Sequence, residues 1–257
     1  MATNGSDLSP NGEIAESYIR RGSLKDMLMV PRDASRPKSP GVAKMSTFQK
    51  KKIDYMFDTL YGPTDGDTVS REDFWKLLKT ASTIRDWTPM NPGFREFQLR
   101  IASIWAGLIK GTLVYKAEGN LLVMEIKREE WNHYWGDFAE AAHLAGQTWP
   151  ECSKDGRVDY QCLKDFTDFM FNMMDVNGDG SLDKKEYIKC LAAFGIPEND
   201  SEDCYERILL ILNRDKTDPS QCQLDEPTFD KLWFEFLTSN DEREAGNYLL
   251  GPSPVYS

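Results

Sequence analysis

Asp175-Val176-Asn177-Gly178-Asp179-Gly180-Ser181-Leu182-Asp183-Lys184-Lys185-Glu186 decides how the rest of this chain is read. Asp175, Asn177 and Asp179 carry side-chain oxygens at alternate positions, so a curled loop turns all three inward. Gly180 follows where the chain must turn sharply, a place a side chain would resist. Ser181 then offers its backbone carbonyl, and Asp183 binds directly or holds a water. Glu186 reaches back from the first turn of a following helix with both carboxylate oxygens. An all-oxygen set of this kind suits calcium, a hard cation that takes about six to eight oxygen ligands. The ligands Asp175, Asp179, Asp183 and Glu186 are acids, which favours affinity and predicts that magnesium competes. Leu182 is the apolar residue that anchors the loop to a partner loop.

Outward from the loop, both flanks are helical. Leu163, Phe166, Phe169, Met170 and Met173 precede it at helical spacing; Tyr187, Ile188 and Leu191 follow. The unit is a helix–loop–helix of the EF-hand kind, and its outline recurs. Phe48, Ile53, Met56, Phe57 and Leu60 lead through a Gly/Pro/Asp loop to Phe74, Leu77 and Leu78. Phe94, Phe97, Ile101, Ile104, Trp105 and Leu108 lead to Trp131, Tyr134, Trp135 and Phe138. Tyr205, Ile208, Leu209 and Leu212 lead to Phe229, Leu232, Trp233 and Phe236. The expected fold is all-α: four EF-hand units packed as two pairs in one globule. The first pair spans residues 46–145. The second spans 146–257 and includes a C-terminal packing segment.

The other three loops have lost ligands. In the first, Gly62 to Asp73, an acid is missing at the first position and Asp67 fills the glycine slot. In the second, Gly119, Leu121 and Val123 stand where oxygens are needed, although Glu130 closes the loop. In the fourth, Thr217, Pro219 and Gln221 take ligand positions and Thr228 replaces the closing glutamate, with Asp215 and Asp218 close by. All three are expected to be silent. They still have work as scaffold, because a calcium loop's short strand needs a partner: Val69 is expected to pair with Ile126, and Leu182 with Leu224.

Composition narrows the class. The formal net charge of -11 argues against a nucleic-acid partner. The odd count of 5 cysteines, with no CxxC pair, argues against a disulfide framework and against a zinc site. With no apolar core in residues 1–20 and no long apolar run, the expectation is a cytoplasmic protein without a membrane span. Residues 1–45 are rich in Ser, Pro, Gly and charge, and read as a disordered tail that cannot bury enough surface to order itself. The tail carries a basophilic kinase pattern at Arg20-Arg21-Gly22-Ser23 and a proline-directed one at Ser39-Pro40. No nucleophile–base pair, phosphate loop or open metal site points to an enzyme.

Over residues 46–251 the chain resembles the invertebrate sarcoplasmic calcium-binding proteins, four-hand members of the calmodulin superfamily. The likeness rests on four hands in one acidic chain, on the first hand from Phe57-Asp58 to Asp73-Phe74, and on the closing segment Glu244-Ala245-Gly246-Asn247-Tyr248-Leu249-Leu250-Gly251. The resemblance implies an intracellular calcium buffer. That family usually keeps two or three working hands, and this chain keeps one. A calcium-regulated adaptor docking a protein target is one alternative. A carrier of a small apolar ligand is another, favoured by 7 tryptophans and the stretch Trp131-Asn132-His133-Tyr134-Trp135.

Overall fold

The computed structural model describes residues 45–62, 67–112, 125–144, 160–214 and 224–252. The tail with its kinase patterns lies outside them, as do the ligand positions expected of the second and fourth loops.

Four helix–strand–helix units follow one another. The first is α1 (Thr47–Tyr61), β1 (Thr68–Ser70) and α2 (Arg71–Ile84). The second is α3 (Pro92–Thr112), β2 (Glu125–Lys127) and α4 (Arg128–Leu144). The third is α5 (Tyr160–Met174), β3 (Ser181–Leu182) and α6 (Lys184–Ala193). The fourth is α7 (Glu198–Leu212), β4 (Leu224–Asp225) and α8 (Glu226–Thr238), followed by a 3-10 turn at Ala245–Tyr248.

The units start and stop where short polar side chains allow it. Ser46 caps α1, its hydroxyl accepting from Gln49 N at 3.1 Å. Ser70, Asp183 and Asp225 cap α2, α6 and α8 in the same way. Each of these caps satisfies an amide that the helix itself leaves without a partner. Ser70–Asp73 and Asp183–Glu186 are full capping boxes, in which the third helical residue also accepts from the cap's N–H. Glu130 makes half of one, Oε2 accepting from Lys127 N at 3.0 Å.

The strands pair in the register expected of them. β1 runs antiparallel to β2 with Val69 opposite Ile126, and β3 to β4 with Leu182 opposite Leu224. Val69, Ile126 and Leu224 are wholly buried and Leu182 nearly so, so each two-stranded ribbon is pinned by apolar contact as well as by backbone bonds.

An aromatic network fills the interior and joins the hands. Phe74 lies 5.3 Å from Trp105 and 6.5 Å from Phe166, which meets Trp233 at 5.7 Å. Phe138 meets Phe234 at 6.1 Å, seating α4 on α8. The apolar stripes read from the sequence thus face one continuous core. Cys162, Cys190 and Cys204 are buried and free.

The closing segment is part of that core. Ala245, Leu249 and Leu250 are buried, and Tyr187 Oη donates to Tyr248 O at 2.5 Å. Tyr55 Oη donates to Leu250 O at 2.9 Å. Lys52 is buried beneath the segment, its Nζ donating to Ser239 O at 2.8 Å and Asn247 Oδ1 at 3.0 Å. Among the described residues no helix is long and apolar enough to cross a membrane.

Candidate metal centre

The loop from Asp175 to Glu186 begins at the C-terminal end of α5 and closes in the first turn of α6. Gly178 and Gly180 have φ of 74° and 83°, the left-handed region that bends the chain back on itself. The loop's oxygens are already organised by its own amides. Asp175 Oδ1 accepts from Gly178 N at 2.8 Å and Oδ2 from Gly180 N at 3.1 Å. Asn177 Oδ1 accepts from Asp179 N at 2.7 Å, and Asp179 Oδ1 from Ser181 N at 2.9 Å. Glu186 spans the ring: Oε1 accepts from Asn177 N at 3.0 Å and Oε2 from Asp183 N at 3.2 Å. The Ser181 N–H, the Asn177 amide and the Ser181 hydroxyl hold the Asp179 carboxyl below its ordinary range.

The six residues expected from the sequence, Asp175, Asn177, Asp179, Ser181, Asp183 and Glu186, therefore share one ring of hydrogen bonds. They do not already grip a common point: among the described residues no three His, Cys, Asp or Glu side chains are gathered as a metal cage. The carboxylates are turned onto amides, and an oxygen that accepts one N–H keeps a second lone pair for a cation. Asp183 Oδ1 also accepts from Glu186 N at 2.8 Å, so this acid caps α6 as well as belonging to the loop. Asp175 and Glu186 are 8% and 7% exposed, and among the described residues neither has an ion-pair partner. Two buried carboxylates facing one loop without an ion-pair partner are costly unless a cation joins them. The donor set is entirely oxygen, which suits calcium or magnesium and not a softer metal.

The first hand has the same frame and a different charge balance. Asp67 takes the glycine slot with φ of 60°, as the sequence frame placed it. Its carboxylate is bonded to Arg128, at the start of α4. The same guanidinium bonds Asp58 Oδ1 at 2.5 Å, lies 3.7 Å from Asp54 Oδ1, and rests on Phe57 at 4.2 Å from the ring centre. Asp73, the loop's closing acid, is bonded to Lys76 Nζ at 2.6 Å. Burial pushes the Asp73 carboxyl up, but the bonds from Lys76 and Ser70 outweigh it and leave it below its ordinary range. Protein cations thus occupy Asp58, Asp67 and Asp73 of this hand.

Solved structures share this fold. The chain has the four-hand fold of the sarcoplasmic calcium-binding proteins. It matches an amphioxus sarcoplasmic calcium-binding protein structure with a TM-score of 0.58 at 21% identity, over 82% of this chain and 100% of that one. By sequence it is 22% identical to sarcoplasmic calcium-binding proteins I, III and IV of Branchiostoma lanceolatum, over 82% of this chain and 100% of theirs. It is 22% identical to calexcitin-1 of Caenorhabditis elegans, over 79% of this chain and 86% of that one. Calcium-loaded apo-aequorin from Aequorea victoria shares the fold with a TM-score of 0.51 at 17% identity, over 76% of this chain and 93% of that one. No family model matches the chain.

The sequence reading missed Arg128, Arg85 and Lys52. Each acts on residues far along the chain; Arg128 and Asp67, for example, are 61 positions apart. No local spacing signals such a contact. Arg128 stands at the tenth position of a loop with no acid at its first, third or fifth position.

Proposed function

We propose that this chain binds a single calcium ion through Asp175, Asn177, Asp179, Ser181, Asp183 and Glu186, with magnesium as competitor, and acts as a calcium buffer. The observation that carries the reading is the pair of buried carboxylates, Asp175 and Glu186, in an all-oxygen loop without an ion-pair partner among the described residues. Asp67 and Asp73 of the first loop, by contrast, are paired with Arg128 and Lys76. The names of the sarcoplasmic relatives, which call them calcium-binding, agree with this reading.

Buffering is favoured over sensing by the closing segment. A sensor opens its helix pair and exposes an apolar groove, whereas a buffer hand barely opens. Here Tyr187, in the exit helix of the third hand, is tied to Tyr248, and Leu249 and Leu250 are buried on the second pair. Calcium then stabilises the native state by binding to it alone. Calcium should raise the melting temperature without raising ANS fluorescence. A large calcium-dependent ANS signal would transfer the chain to the adaptor class.

A second reading, carriage of a small ligand, has one observation behind it. The indole N–H groups of Trp105, Trp131, Trp135 and Trp233 are buried and find no acceptor among the described residues. A bound molecule with acceptor atoms would satisfy them. Native mass spectrometry of the purified chain reads this directly: an excess mass lost on denaturation supports it, and a bare chain removes it.

A further inference from the structure

The end of α2 lies against the third hand. Arg85, the residue that follows α2, donates through Nη1 to Asn172 O at 2.6 Å and to Asp175 O. These carbonyls end α5, where the last turn of a helix has no internal donors left. One residue earlier, Ile84 O accepts from Lys189 Nζ of α6 at 2.5 Å. Residues 84 and 85 therefore hold both helices of the calcium hand, the entering one through Arg85 and the leaving one through Lys189. The guanidinium also lies 4.7 Å above the Trp87 ring, which meets Phe97 at 4.9 Å, so it is fixed from the side of the first pair.

The guanidinium places a positive charge at the first residue of the loop. Yet Arg85 bonds the Asp175 carbonyl and not its carboxylate, so it does not occupy a ligand oxygen. Lys184, within the loop, is bonded to Glu202 and to Glu206, the latter at 2.8 Å.

We propose that Arg85 is the residue through which the first hand pair sets the calcium affinity of the third hand: it braces the hand's two helices and holds a fixed positive charge beside the ion. This rests on the reading that the 175–186 loop binds calcium. A guanidinium that remains when a divalent ion arrives repels it, and through a solvated loop the penalty is about threefold to tenfold in affinity. The brace adds that the hand is held closed before calcium arrives.

The test compares full-length wild type, R85Q, R85K and K189Q by calcium titration at low and high KCl, and by thermal melting in chelator. R85Q should bind calcium about threefold to tenfold more tightly at low salt, with the gap closing at high salt. R85K should stay within about twofold of wild type, because the charge remains. All three variants should melt below wild type without calcium. Unchanged or weaker binding by R85Q at low salt, or a gap that salt does not alter, overturns the electrostatic role. Unchanged melting of both R85Q and K189Q overturns the brace. A wild-type chain that takes up no calcium refutes the proposed function instead, and the chelator melts still report on the brace.

Discussion

The first and third hands share a strand position and a capping box and differ in what neutralises their acids. In the first, Arg128 bonds Asp58 and Asp67 while Lys76 bonds Asp73. In the third, the loop acids bond only to loop amides and hydroxyls, and Asp175 and Glu186 are buried. The contrast teaches that a loop can keep its helix cap while its acids take different partners. Ser70 and Asp73 are the ninth and twelfth residues of their frame, as Asp183 and Glu186 are of theirs, and both pairs form capping boxes. These positions serve the helix as well as the ion. Keeping them keeps the cap, whose loss costs about 1 kcal/mol.

The comparison breaks first at the closing acid. Glu186→Gln should lower calcium affinity by about a hundredfold or more, since it removes the carboxylate that supplies two ligand oxygens. Asp73→Asn, the equivalent change in the first hand, should leave calcium affinity and stoichiometry unchanged, and cost only the cap and the Lys76 pair, about 1 kcal/mol. Calorimetry and chemical denaturation read the two. Loss of a calcium ion in the Asp73 variant would mean that the first hand binds.

The second prediction concerns how the closing segment is fastened. Burial lowers the Lys52 pKa to about 7, against the opposing fields of Glu235 and Glu244. A neutral amine has two N–H groups, and Lys52 has two acceptors, Ser239 O and Asn247 Oδ1. Its folded pKa lies below its unfolded value of 10.5, so above pH 7 the unfolded chain binds the extra proton. Stability from this group should therefore rise with pH from about 7 towards 10.5, and lie flat below 7. The gain from pH 7 to 9.5 is on the order of 2–3 kcal/mol. Lys52→Met should lose this slope in a melting series against pH; a slope that survives would assign it elsewhere.

The third prediction weakens the first pair's internal cation. Arg128→Gln should destabilise the calcium-free protein by about 1–2 kcal/mol, discounted because Asp58 and Asp67 are more than half exposed. Calcium stoichiometry should not change. A second calcium ion appearing in this variant would show that the guanidinium alone keeps the first hand silent.

Periodic and local features were legible in the sequence. The helical stripes gave the four hands, and the anchor residues gave the strand register, because a calcium loop fixes its strand at one position: Val69 meets Ile126 and Leu182 meets Leu224. Asp67 was placed in the glycine slot, and it has the positive φ that slot demands. What escaped was tertiary charge pairing. Arg85 and Asp175 are 90 positions apart, and Lys52 and Asn247 are 195 apart. Their meeting depends on how the hands pack, which aromatic side chains decide, and a stripe of aromatics does not state which neighbour it faces. Nor did the sequence show that Asp183 is committed to capping α6, since an acid at that position suits both tasks.

Calcium titration of the full-length chain by calorimetry, with and without millimolar magnesium, tests the central claim most directly. One calcium per chain, weakened by magnesium, is the expected result. Two or more sites of comparable affinity, or none, would contradict the account.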